Sequence, residues 1–185
     1  MPDAVFFGGA MSGPNPICQA GDEFKGASAE SVKEIIRQGE LRLQAQLQAA
    51  IAADGRSNAL AAIQAAAAAA LIVYAGGAGV EETSALAAFM AAAFFIAGAI
   101  FAAWAARPIA FDFAGLHPSD WVEAIKTKEP VDSARRAYAT YLDEYLKAND
   151  IRMAENGNYT VRSIKMLSMA PFASVIVVYL VTIQP

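Results

Sequence analysis

The sequence predicts an all-α membrane protein: three transmembrane helices, a hairpin plus a carboxy-terminal span, with a small cytoplasmic helical bundle. Three observations carry that prediction. First, the runs Ser57 to Val80, Thr83 to Ala106 and Met166 to Pro185 contain no charged residue and no histidine. Roughly 20 apolar residues, rising ~1.5 Å each in a helix, cross a bilayer core. Second, 56% of the residues are hydrophobic, which a soluble domain of this length seldom shows. Third, every Lys and Arg lies either before the first run or between the second and third.

That charge map orients the chain. Cytoplasmic segments keep Lys and Arg, so the amino terminus and the long central segment are expected in the cytoplasm, with the Glu81-Glu82 turn and the carboxy terminus outside. Trp104 at the inner end of span two agrees, as do Tyr74 and Tyr179 near the outer ends of spans one and three. The chain is expected to cross its membrane several times. The acidic excess behind the net charge of −4 is spread over the amino-terminal arm and the outer turn and is not clustered, and nothing in the sequence suggests a nucleic-acid partner. A signal peptide is not expected, because the first apolar run begins too late and no basic start precedes it.

Residues 1–27, with Gly8, Gly9, Gly13, Pro14 and Pro16, lack periodicity and read as a mobile arm. The single Cys18 in that arm has no partner for an internal disulfide. Residues 28–56 form an amphipathic cytoplasmic helix, because Val32, Ile36, Leu43, Leu47, Ala50 and Asp54 recur at steps of three and four, interrupted at Gly39. Ser28 suits its amino-terminal cap, and Glu30 and Glu34 suit the positive end of its dipole. The glutamines Gln44, Gln46 and Gln48 are expected on its polar back face, which favours packing on a partner helix over binding an anionic lipid surface.

Residues 57–106 form the transmembrane hairpin, turning through Gly76, Gly77 and Gly79. Span two carries Ser84, Ala88 and Ala92 at fourfold spacing, and small residues on one face let helices approach closely. Its bulky flank, with Phe89, Phe94, Phe95, Phe101 and Trp104, is expected to face lipid or another subunit. Gln64 is the one strongly polar side chain inside span one, and is expected to hydrogen-bond across helices.

Residues 107–165 form the cytoplasmic helical segment. Arg107-Pro108 ends span two, and a short helix begins at Ser119 and Asp120, with Asp120 and Glu123 at capping-box spacing. His117, the only histidine, reads as a turn residue near the headgroups. A second helix starts near Glu129-Pro130 and displays Tyr138, Tyr141, Leu142 and Tyr145 along one stripe. It is expected to continue, straight or mildly kinked, past Asn156-Gly157-Asn158 into span three, over more than ~70 Å. Residues 166–185 are that span, with Pro171 expected to kink it near its inner end.

No nucleophile with a base, metal-ligand set, divided carboxylate pair or phosphate loop is legible. The spans also hold no ionisable relay. No enzyme, cofactor or metal is therefore expected.

The run from Leu142-Asp143-Glu144-Tyr145 through Asn149-Asp150 and Glu155-Asn156 to Arg162, leading into a last span, resembles small uncharacterised bacterial inner-membrane proteins, as does the stretch Ala106-Arg107-Pro108 to Trp121. In layout the chain is also similar to the membrane-spanning effectors of nucleotide-signalled antiphage systems. That resemblance implies self-assembly and damage to the inner membrane. No nucleotide-sensing domain is legible in this chain, so no binding residue carries over.

Two functions are expected from these features. One is a non-catalytic structural or accessory subunit of a larger membrane assembly, with Leu43, Leu47, Tyr138, Tyr141 and Tyr145 meeting the partner, and Ser84, Ala88, Ala92 and Gln64 packing the helices. The alternative is a self-assembling pore-forming or membrane-disrupting effector. In either case the partners are the bilayer and other membrane-protein subunits or identical copies.

Overall fold

The structure, a computed structural model, describes residues 24–116 and 118–183, apart from the side chains of residues 119, 120 and 123. Most of the arm, Cys18, His117 and the Asp120–Glu123 capping box fall outside the described residues. Among the described residues four helices follow one another: α1 (Ala29–Ala75), α2 (Glu82–Ala105), α3 (Pro118–Lys126) and α4 (Val131–Ile183). No strand occurs among the described residues. Three of the helices, α1, α2 and α4, are long and apolar enough to cross a membrane.

The amphipathic segment and span one are a single helix. Ser28 caps it, its Oγ accepting the Ser31 N–H at 3.1 Å. In its first turns Lys33 donates to Glu30 at 2.8 Å, and Arg37 donates through Nε to Glu34 at 2.8 Å. The bonds from Arg37, and after them one from Gln38 Nε2 at 2.8 Å, hold the exposed Glu34 carboxyl down at about 2. α1 ends at the predicted glycines, where the Gly76 and Gly77 N–H groups bond the Ile72 and Tyr74 carbonyls and Gly79 takes a positive φ of 82°. α4 runs helical through Asn156-Gly157-Asn158 and holds Pro171 inside it. A turn-prone pair is outvoted there by helical flanks on both sides, and by the i to i−4 bonding a glycine backbone accepts at a cost of ~1 kcal/mol.

The chain divides into two compact units, residues 1–44 with 112–147, and residues 45–111 with 148–185. Helices α1 and α4 contribute to both. In the first unit, Leu43 packs on Tyr138 and Leu142, with Ile36, Leu116, Tyr145 and Leu146 around them. A second cluster joins Ala124 of α3 to Ala134 and Ala137, with Leu116 and Trp121 against it. Gly39, which interrupts the apolar stripe in sequence, lets α1 approach: a Cβ there would lie 3.2 Å from Leu142 Cδ1.

In the second unit α1 and α4 run parallel. Gln46 meets Asp150, Ser57 meets Thr160, and Gln64 meets Ser163. α2 runs against both, since Trp104 meets Tyr159 at one end and the Ser174 hydroxyl donates to the Ala87 carbonyl nearer the other. The three membrane-length helices thus alternate in direction, as successive crossings of one bilayer require.

Candidate functional site

The interior of the second unit is polar where α1 faces α4. Ser57, Gln64, Asn149 and Ser163 are buried, and Gln64 and Ser163 are fully so. The Gln64 Nε2 donates to the Ser163 hydroxyl at 3.2 Å and its carbonyl at 3.3 Å. Ser57 and Thr160 share a hydroxyl bond of 3.1 Å, and Gln46 Nε2 donates to Asp150 at 2.7 Å. Each bond answers a polar group that burial would otherwise penalise. Asn156 Oδ1 is buried with no protein partner among the described residues. Asn156, Asp54, Ser57 and Thr160 line a cavity of about 70 Å³, room enough for a bridging water.

Around that seam the small residues pack. Ala88 and Ala92 are buried in α2, beside Ala87, Ala91 and Gly98, while Ser84 is half-buried. Gly98 gives Gln64 its place. A methyl group there would overlap Gln64 Oε1 and come within 2.9 Å of its Cδ. Periodicity did not single out Gly98, Ser163 or Thr160, although the heptad-like spacing of Asn149, Asn156 and Ser163 on α4 matches that of Ser57 and Gln64 on α1.

The residues expected to meet a partner divide. Leu43 and Tyr138 are buried inside the first unit, where each finds its apolar neighbours within the chain. Leu47 and Tyr141 are half-buried, and Tyr145 lies half-buried against the same core, with its ring 6.2 Å from that of Tyr141. The expectation for Gln46 is corrected. It sits three residues beyond Leu43, on the inner stripe and not the back face.

Tyr138 is also a polar node. Its hydroxyl donates to Glu40 at 2.9 Å and accepts the Gly115 N–H at 2.7 Å. Burial, then the bond to Glu40, pushes it up to about 12. Burial raises Tyr141 as well.

The outward faces of the second unit differ from one another. The end of α4 displays Phe172, Val175, Ile176, Tyr179 and Leu180, all more than half exposed, the bulky apolar surface that lipid wets well. Between α1 and α2 lies instead an open groove of about 580 Å³, lined by alanines such as Ala61, Ala65, Ala69, Ala99 and Ala103, with Ile96 and Ile100 at its side. Of the flank expected to be bulky, Phe89 and Trp104 are exposed and Phe94, Phe95 and Phe101 half-buried.

No protein-family model, curated protein or solved structure matches the chain. Its chemistry therefore has to be read from these side chains alone. Among the described residues no three His, Cys, Asp or Glu side chains converge as a metal site would require.

Proposed function

We propose that this protein is a non-catalytic subunit of a larger bacterial inner-membrane assembly, with its amino terminus cytoplasmic and its carboxy terminus outside. The observation that carries this reading is the alanine-lined groove between α1 and α2. Lipid-facing helix surfaces gain nothing from small side chains, whereas a second helix gains close backbone approach and van der Waals contact. The groove is therefore fitted to a further transmembrane helix, from another subunit or a second copy. The buried polar seam favours this over a self-assembled pore. Gln64, Ser57 and Ser163 turn inward and bond to residues of the same chain, so they do not line a wet channel between copies.

The test is the mass and composition of the particle extracted gently from its native membrane. The expected result is a particle larger than one chain. Ala65→Phe with Ala69→Phe should release the chain as a monomer of unchanged helicity. A monomer from the unsubstituted protein, or an unchanged particle from the Phe pair, overturns the reading. Identical copies combined with ion conductance would favour the pore.

A further inference from the structure

We propose that the end of α2 and the adjoining turn of α4 hold the phosphate headgroup of an anionic phospholipid, clasped by Arg107 and Arg162 about the ring of Tyr159. Both guanidinium carbons lie 5.5 Å from the centre of that one ring. They are therefore at most twice that distance apart, two like charges converging on a single aromatic platform. Trp104 meets the same ring edge-on, with centroids 5.9 Å apart and planes at 74°.

The position identifies the ligand. Arg107 is the first charge after the apolar run of α2, and Arg162 and Lys165 are the last charges before the apolar run of α4. Two charge boundaries that are distant in sequence thus meet at Tyr159, and an apolar-to-charged boundary shared by neighbouring spans marks the level of the lipid phosphates. Trp104, 53% exposed, lies one turn toward the apolar side of Arg107, where acyl chains begin. Among the described residues no carboxylate forms an ion pair with either arginine. A guanidinium fork left open at that depth is matched by the paired oxygens of a phosphate. The inference requires only that the helices cross the bilayer, and it stands or falls apart from the assembly reading.

Trp104 supplies the readout. The full chain carrying Trp121→Phe, which leaves Trp104 as the sole tryptophan, is placed in vesicles of phosphatidylcholine and phosphatidylglycerol with one or the other lipid brominated. At equal mole fraction, brominated phosphatidylglycerol should quench Trp104 as a lipid preferred roughly fivefold or more, the scale set by a basic residue at an anionic surface. Arg107→Gln with Arg162→Gln should bring the two lipids to equal quenching, and Lys126→Gln with Lys128→Gln should leave the preference intact. Equal quenching by the two lipids in the Trp121→Phe protein overturns the proposal, even if the Gln pair fails to fold. So does an undiminished preference in a folded Gln pair. Abolition of the preference by inorganic phosphate at constant ionic strength would assign the site to a soluble anion and overturn the lipid.

Discussion

At the scale of single residues, contacts between small and polar side chains decide most of what is specific here. Gly98 sits where α2 passes the buried Gln64 amide, and that amide cannot give way to a larger residue without breaking its bond to Ser163. Gly98→Val should therefore destabilise the folded protein by ~1–3 kcal/mol through overpacking, measured as a lowered unfolding midpoint in detergent. An unchanged midpoint would mean that α1 and α2 do not approach at that point. Tyr138 gives a pH signature. Its neutral form is favoured in the fold, with its pKa raised from 10 to about 12. The stability it contributes is complete below pH 10 and is lost as pH rises from 10 toward 12. Thermal midpoints across that range should fall for the native protein. Tyr138→Phe should lack this alkaline step and cost ~1–2 kcal/mol at neutral pH, since the Gly115 N–H loses its acceptor.

At the scale of elements, the helices were legible because hydropathy and end signals coincide. The Ser28 cap, the glycine turn after Ala75 and the proline-led start of α4 each appear where the residue types place them. Gly157 was the ambiguous point, because Asn-Gly favours a turn locally while the segments on either side favour helix. Nothing lies within 4 Å of a Cβ built at Gly157, so Gly157→Ala should stabilise α4 by ~0.5–1 kcal/mol, as expected for an open helix-interior glycine. A loss of stability would place a turn there. Partner-facing residues were harder to read. An apolar stripe has the same spacing whether it meets another helix of its own chain or a different protein, so spacing alone does not place Leu43 and Tyr138 in the packing of the first unit.

At the scale of the whole molecule, orientation is a claim about all fourteen basic residues together. It is tested in a Cys18→Ser background. A cysteine at exposed Glu81 should react with a membrane-impermeant maleimide in intact cells, and one at exposed Lys126 only after permeabilisation. The reverse pattern would invert the topology and place the Arg107–Arg162 pair in the outer leaflet.

The sequence by itself determined the helical class of this protein, the number of its membrane-length helices and the charge asymmetry between the segments that flank them. Transfer into lipid is a sum over residues, and such a sum is readable in one dimension. Only the tertiary structure decided that α1 and α4 run parallel, that Gln64 bonds to Ser163 beneath Gly98, and that Arg107 and Arg162 share the ring of Tyr159. Those facts depend on the rotation of each helix about its axis and its register against its neighbours. Both are set by close packing between residues dozens of positions apart, for which composition and periodicity carry no coordinate.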